Sequence, residues 1–327
     1  MSFFAILFAL LIEQARPLAR SNPIHGGLRA WALSVSRNFD AGGPHHGWVA
    51  WGLAVLVPPL FVLSVHWALM WWVGWPVAVL WSVAVLYITL GFRQFSHHFT
   101  GIRDALEMGD EARARERLAD WQQVDVGDLP RSEVVRHVIE YSVLAAHRHM
   151  FGVLAWTSVL AALGLGPTGA VLYRTAEYLG RDWSAQPSAG VQPVSERLQA
   201  AVQRAWWWLD WLPARLTAIG FAVVGSFEDT LAGWRTYAQK APQDNDGLVI
   251  AATAGALHID LGAYGMPNGL APQMQHLYSL VGLVWRLVAV WLLLLALFLM
   301  GTHSTFFGPI KYAILPEILK PNELMSG

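Results

Sequence analysis

The 327-residue chain contains no cysteine. Disulfide bonds, thiol catalysis and zinc sites with thiolate ligands are therefore excluded. Charged residues are also scarce, at 14% against about 25% in soluble domains, whereas hydrophobic residues reach 55%. The net charge of -1 provides no basic field to attract nucleic acid, so we predict no nucleic-acid partner. So much apolar sequence with so little charge indicates an integral membrane protein.

The common nucleotide-binding and hydrolase signatures are also missing. The chain has no GxxxxGK[ST] phosphate loop, no GxGxxG turn and no GxSxG elbow. Its twelve histidines include the clusters His45-His46, His97-His98 and His147 with His149, but none forms an HExxH pattern. Adjacent histidines point to different faces of a helix. We therefore predict no metal site and expect these histidines to be interfacial or exposed to solvent.

Several apolar runs have the length of membrane segments. Residues 48–72 exceed the roughly 20 residues needed to span a bilayer core, and 77–92 follow after a turn at 73–76. The two runs predict a transmembrane hairpin, and residues 277–300 predict a final span. Residues 3–12 have no basic residue before them, so we interpret them as a short anchor or re-entrant helix rather than a signal peptide.

The middle of the chain is harder to assign. Residues 151–166 are hydrophobic, and 168–179 continue after a Gly-Pro break as a short or discontinuous helix. Residues 206–225 are long enough to span but contain Asp210. Ionisable groups at membrane depth usually face protein or water, so this segment is either an interfacial helix or the lining of a functional cavity. Three consecutive tryptophans at its start favour the interfacial position.

Residues 93–149 differ from the rest, with eight arginines and ten acidic residues. Alternating charges of this kind are typical of a solvated helical segment. Residues 13–47 carry an excess of arginine, and a hairpin would place them on the same side as 93–149. The positive-inside rule predicts that both are cytoplasmic, in a multi-pass protein of a bacterial inner membrane.

We therefore predict an all-α polytopic integral membrane protein with about four to five hydrophobic helices and a cytoplasmic helical insert. Its predicted segments are the hydrophobic N-terminal residues 1–92, which include the hairpin 48–92, and the charged insert 93–149. Membrane or interfacial helices follow in 150–300, and a separate tail occupies 301–327.

Three arginines within or beside hydrophobic segments are candidate ligand-binding residues: Arg148, Arg174 and Arg215. Acidic residues near them in sequence are Glu140, Glu177 and Asp210. One interpretation is a set of buried or interfacial ion pairs that hold helices together. The other is an anion pocket on the cytoplasmic face, since guanidinium groups suit phosphates and carboxylates. The sequence indicates no catalytic residue.

Three patches resemble a known family: ALEMGDEARARERL at 105–118, LDWLPARL at 209–216 and IAATAGALHIDLG at 250–262. In this order and spacing they are similar to the CobD/CbiB family of cobalamin-biosynthesis membrane proteins, over roughly residues 1–300. The resemblance implies an adenosylcobinamide-phosphate synthase, which joins an aminopropanol-type linker to a corrin acid with ATP. It would imply ATP, magnesium and a corrinoid as ligands.

The family's polar motifs are largely absent. An ExxAENxxDG-like motif keeps only Glu140, and a YKxxNTxDSMxGY motif becomes YRTAEYLG at 173–180, without its asparagine and aspartate. With these departures, the run HRHMF at 147–151 and the tryptophan-rich LDWLPARL at 209–216 resemble the AmpE-like inner-membrane proteins, described as signalling modulators. We therefore predict a divergent, non-catalytic AmpE-like protein that binds a corrinoid or a protein partner besides the lipid bilayer. The alternative is a synthase whose polar site is rebuilt from other residues. No cofactor is predicted unless the synthase interpretation holds.

The C-terminal tail has a different resemblance. Residues 303–323 are similar to an early loop of lysophospholipid transporters of the major facilitator class. One loop does not make a transporter, and we assign no function to residues 301–327.

Overall fold

The computed structural model describes residues 2–15, 23–43, 45–122, 127, 129–184, 194–266 and 269–318. Within these ranges the chain is helical apart from turns and one isolated parallel bridge between Ile259 and Leu270. The predicted all-α class is confirmed. Some of the predicted basic loop, residues 16–22, and the end of the predicted tail, residues 319–327, lie outside the described residues.

The N-terminal helices are α1 (Ser2–Ala15), α2 (Pro23–Phe39), α3 (His46–Trp72) and α4 (Trp75–Thr89). The charged segment contains α5 (Phe92–Glu107), α6 (Glu111–Gln122) and α7 (Arg131–Ala146). A π-helical turn (His147–Phe151) joins α7 to α8 (Gly152–Ala162), and α9 (Thr168–Ser184) and α10 (Glu196–Val224) follow. The last helices are α11 (Phe227–Lys240), α12 (Asn245–Leu257) and α13 (Met274–Ile318), with a 3₁₀ turn (Gly262–Tyr264) after α12.

The α3–α4 hairpin turns within two residues. Gly74 has φ +109°, in a region that side chains with a Cβ atom rarely adopt. Pro76 lies in the first turn of α4, where its missing N–H costs no hydrogen bond. Gly74 therefore allows the turn after α3, and Pro76 is suited to the first turn of α4.

A core of small and aliphatic side chains joins α2, α3, α9 and α10. Its most buried members are Ala32, Ala50, Ala54, Val55, Leu179, Leu198 and Val202. Gly47 lies against the backbone at Arg197, where any larger side chain would collide. Asp40 accepts hydrogen bonds from the backbone N–H of Ser195 at 2.7 Å and from its hydroxyl at 2.5 Å. These contacts bring the start of α10 beside the start of α3.

Two helices in the described ranges are long and apolar enough to cross a bilayer: α3, and the portion of α13 from Met274 to Phe298. Phe4–Glu13 and α4 are apolar but shorter. Only 28% of the most apolar stretch of each long helix is buried, whereas the core helix of a soluble protein is mostly buried. By length and composition, both helices could cross a membrane.

The chain divides into two compact units, Met1–Leu287 and Val288–Gly327. The first contains α1 to α12 and the beginning of α13. The second contains the continuation of α13 to Ile318. The segment boundaries at 92, 149 and 300 stay predictions.

Candidate functional site

A change in helical pitch directs three consecutive polar residues to different neighbours. From His147 to Phe151 the helix widens to a π-turn, closed by a bond from the N–H of Gly152 to the carbonyl of His147. Turns of this kind are rare and often occur at functional sites. Here His147 contacts α10, Arg148 contacts α12, and the ring of His149 lies close to Gly91 after α4.

The most buried region of the site centres on Asp210 of α10, which has no exposed surface. Its Oδ1 accepts a hydrogen bond from the hydroxyl of Tyr173 at 2.7 Å and lies 3.0 Å from Nε2 of His147. The other ring nitrogen of His147 is 2.9 Å from the hydroxyl of Thr217, further along α10. One carboxylate therefore joins the π-turn, α9 and α10 inside the bundle.

Arg148 forms an ion pair with Asp246 in the first turn of α12. The preceding Asp244 caps this helix by accepting from the N–H of Gly247 at 2.9 Å, and also accepts from the hydroxyl of Tyr237 at 2.5 Å. Carboxylates at a helix N-terminus are stabilised by the free N–H groups and by the helix dipole. The N-terminus of α12 therefore stabilises the negative charges of Asp244 and Asp246.

Arg174 and Glu177 form a second ion pair, within α9, at 2.9 Å. Glu177 is buried, with Arg181 Nε 3.5 Å from its other oxygen. Arg148 and His149 are also close enough to interact electrostatically with Glu177. The second ion pair is therefore electrostatically coupled to the π-turn.

Arg215, in the LPARL patch, lies beside these residues on α10. Its guanidinium stacks over Trp211, 4.1 Å from the ring centroid, and donates to the side chain of Asn245 at 3.1 Å. Asn245 in turn donates to the carbonyl of Trp207 at 3.0 Å. The LPARL patch thus holds the N-terminus of α12 against α10.

Pro213 of the same patch leaves the carbonyl of Leu209 without its usual helical donor, because proline has no N–H. The indole N–H of Trp156 on α8 donates to that carbonyl at 2.9 Å. The proline therefore creates a specific contact between α8 and α10 near Asp210.

Glu140 belongs to a separate group on α7. Arg136 donates to Glu140 at 2.8 Å and to Glu133 at 2.7 Å, and none of the three candidate arginines bonds to Glu140 within the described ranges. Burial raises the pKa of Glu140 above its ordinary value, although the positive charge of Arg136 opposes the shift. Burial, followed by the charge of Arg136, lowers the pKa of the adjacent His137.

We call the eight side chains that meet around the π-turn the central polar cluster: His147, Arg148, His149, Tyr173, Arg174, Glu177, Asp210 and Asp246. Several of its buried atoms make no hydrogen bond within the described ranges. They are one carboxylate oxygen each of Glu177, Asp210 and Asp246, with Nε of Arg148 and Nδ1 of His149. Buried polar atoms are rarely left unpaired. The cluster therefore contains both donors and acceptors whose hydrogen-bonding capacity is not met by the described residues.

The structure brings four of the six sequence-predicted residues into this cluster: Arg148, Arg174, Glu177 and Asp210. Arg215 is adjacent, and Glu140 is apart. Among the clustered histidines, His45, His46 and His97 are exposed as predicted. The expectation was wrong for His147, which is fully buried because Asp210 and Thr217 offer partners for both of its nitrogens.

Sequence reasoning missed Asp246, Asn245, Tyr173 and Asp244 as members or supports of the site. One signal was available: the run DND at 244–246 directly precedes the apolar segment that contains the AGAL patch. Acidic and amide residues before an apolar helical run mark a helix N-terminus. Among the described residues, no three His, Asp or Glu side chains are grouped so that they could hold a metal ion.

A family model described as CobD/Cbib protein matches residues 3–184. The Cobalamin biosynthesis protein CobD of Stutzerimonas stutzeri is 33% identical over 309 residues, covering 90% of this chain and 96% of the relative. Proteins of the same name match from Chromobacterium violaceum, at 34% identity over 57% of each chain, and from Leptospira interrogans, at 27% over 60% of this chain and 61% of the relative. No solved structure matches the chain.

Proposed function

Since the chain belongs to the CobD/CbiB family, we propose that it acts in cobalamin biosynthesis as an adenosylcobinamide-phosphate synthase. The names of the similar proteins support the pathway. The observation that carries the synthase proposal is the set of unpaired buried donors and acceptors in the central polar cluster. Such a set is expected if the chain is a synthase whose polar site is formed by residues other than those of the missing family motifs.

The cluster suits a ligand that carries both charges. An aminopropanol-type linker with a phosphate group has a cationic ammonium at one end and an anion at the other. Oδ2 of Asp210, which has no partner among the described residues, is an acceptor for an ammonium group, whereas Nε of Arg148 is a donor for an anion. Binding at opposite ends would orient the amine for attack on an activated carboxyl group.

ATP-dependent amide formation requires the carboxylate oxygen to leave as phosphate while the amine nitrogen forms the C–N bond. Magnesium bound to ATP commonly takes one or two protein carboxylates besides the phosphates. The unpaired oxygen of Asp246 fits that requirement without a dedicated three-ligand metal site among the described residues. Arg215, beside the cluster, is the further candidate for phosphate.

The proposed location is the bacterial inner membrane, with several passes and with residues 13–47 and 93–149 in the cytoplasm. The exposed apolar helix α3 and the apolar beginning of α13 support membrane insertion. ATP is available on the cytoplasmic side, which is the side proposed for the charged helices α5 to α7.

Membranes that contain the full chain provide a direct assay. We expect them to convert a corrin acid, ATP and 1-amino-2-propanol phosphate into the amide, detected by mass spectrometry. Arg148→Met should lower the rate about 10- to 100-fold, as expected from the loss of a charged hydrogen bond. Arg235→Met, at an exposed position on α11, is the matched control and should keep wild-type activity.

A binding role without catalysis, of the AmpE type, is the second candidate. It is favoured by the ion pairs that already connect Arg148 with Asp246 and Arg174 with Glu177, and by the missing family motifs. No amide formed by a folded, membrane-inserted wild-type chain would reject the synthase proposal and favour this role.

A further inference from the structure

A small groove lies at the end of the α3–α4 hairpin, apart from the central polar cluster. It has a volume of about 250 Å³ and lies between α1, α3, α4 and the loop from α8 to α9. Most of its lining residues are small, and they include Ala5, His66, Ala78, Ser82, Ala161 and Gly164. Small side chains on four neighbouring segments leave room there for a narrow apolar group.

His66 is the polar exception in this lining. It is only 8% exposed, and its Nδ1 makes no hydrogen bond with any described residue. The loop packs closely on the ring, because any side chain at Gly166, which has φ +59°, would collide with it. Trp67 holds the loop by donating to the carbonyl of Gly164 at 3.4 Å. The ring is therefore fixed in the lining of the apolar groove, and its buried Nδ1 has no partner among the described residues.

Exposed tryptophans mark the depth of the groove. Trp71, Trp72 and Trp75 surround the hairpin turn and are 87%, 83% and 59% exposed, as expected of side chains at the membrane surface. His66 lies about 9 Å along the helix from Trp72, at about 1.5 Å per residue. The headgroup region of each leaflet is only about 5 to 8 Å thick. The unsatisfied nitrogen is therefore near the boundary between headgroups and hydrocarbon.

We propose that this groove binds one acyl chain of a diacyl phospholipid, whose ester carbonyl accepts a hydrogen bond from Nδ1–H of His66. Ester carbonyls lie at this depth and are acceptors, so they satisfy the nitrogen while the acyl chain covers the small apolar residues. A buried water would need two to four polar partners, and the hydroxyl of Ser82 already donates to the carbonyl of Ala78. The proposal rests on insertion of the hairpin in a bilayer and not on the proposed enzymatic function.

The test compares two lipids that differ only in the acceptor. The full chain is purified in mild detergent, stripped of lipid, and titrated with dioleoyl phosphatidylglycerol or with its dialkyl ether analogue, and native mass spectrometry counts the bound lipids. We expect one diester lipid to be retained, with about tenfold weaker binding of the diether, equal to one hydrogen bond of about 1.4 kcal/mol.

Two variants distinguish the contribution of the hydrogen bond to lipid binding from the contribution of the groove. His66→Phe should remove the preference for the diester, and Ala78→Leu should abolish retention by filling the groove. Phe61→Leu, at an exposed position of α3 outside the groove, is the matched control and should behave as wild type. Equal retention of both lipids by the wild type, no lipid retained at all, or a bound molecule that is not a lipid would overturn the proposal.

Discussion

At the scale of single residues, Asp210 is a buried acidic group on which several partners depend. Asp210→Ala would leave His147 and Tyr173 without their shared acceptor inside the bundle. We expect it to cost about 2 to 5 kcal/mol of stability, whereas Asp210→Asn keeps an acceptor oxygen and should cost less. Thermal unfolding in detergent measures the difference.

Asp182→Asn, at an exposed position of α9, provides the control for Asp210 and should leave the unfolding midpoint unchanged. A wild-type midpoint for Asp210→Ala would mean that His147 and Tyr173 do not depend on this carboxylate.

Arg148 and Asp246 should behave as a coupled pair. Each single substitution, Arg148→Met or Asp246→Asn, leaves a largely buried charge without its partner, whereas the double variant removes both charges. We expect a coupling energy of about 1 to 3 kcal/mol in a double-mutant cycle of unfolding measurements. Purely additive effects would show that the pair contributes little to the attachment of α12.

Replacing Glu140 should not leave an unpaired charge, because its partner Arg136 keeps its ion pair with Glu133. Burial raises the pKa of Glu140 in the folded state, so the folded protein favours the protonated carboxyl group. Its contribution to stability is therefore fully present below the unfolded pKa and is lost as the pH rises through the folded pKa. The unfolding midpoint of the wild type, relative to Glu140→Gln, should fall by a few degrees between about pH 4 and pH 7.

A midpoint difference that increases with pH would contradict this assignment for Glu140, since it would require a lowered pKa. Glu133→Gln is the matched control, because it faces the same arginine from a more exposed position.

The candidate arginines were predictable as residues, but their partners were not. An arginine inside an apolar run is visible in the sequence, and Arg148, Arg174 and Arg215 all lie at or beside the central polar cluster. Asp246 is 98 positions from Arg148 along the chain, and local spacing cannot indicate that contact. The burial of His147 also depends on a distant residue, Asp210.

At the scale of helices, α10 and α11 decide the topology of the C-terminal half. The start of α10 is fixed beside the start of α3 through Ser195 and Asp40. After α10 the polar helix α11 packs along α12, and Asn245 bonds back to Trp207 in the first half of α10. After Gly225, helix α11 therefore leads the chain back toward the N-terminal half of α10.

This return predicts that Ser184 and Lys240 are on the same side of the membrane. The chain has no native cysteine, so Ser184→Cys and Lys240→Cys can each be labelled alone. A membrane-impermeant maleimide should label both in inverted vesicles and neither in intact cells. Labelling from opposite sides would instead establish a crossing between them.

The apolar helices could be predicted from composition, and the helices around the site could not. Long runs such as 48–72 are apolar on every face of the helix, so hydropathy alone identifies them. Helix α10 has an apolar face packed on α3 and carries Asp210 and Arg215, so its sequence fits both an interfacial and a cavity-lining helix. Contacts with α8, α9 and α12 determine its position.

At the scale of the whole molecule, the helices collect polar groups from distant regions of the sequence around one π-turn. The family match ends at residue 184, whereas the similarity to the Stutzerimonas stutzeri protein extends over 90% of the chain and so includes α10 and α12. The central polar cluster needs both halves. Missing motifs in the first half therefore do not by themselves remove the site, since Asp210 and Asp246 come from the second.

Complementation tests the proposed synthase activity most directly. A bacterial strain that lacks its adenosylcobinamide-phosphate synthase would express the full chain and be grown so that it depends on cobalamin made from cobyric acid. We expect growth with the wild type and with the Arg235→Met control, and slower growth with Arg148→Met. Failure of a verified, membrane-inserted wild-type chain to restore growth would contradict the synthase proposal and direct attention to a binding partner.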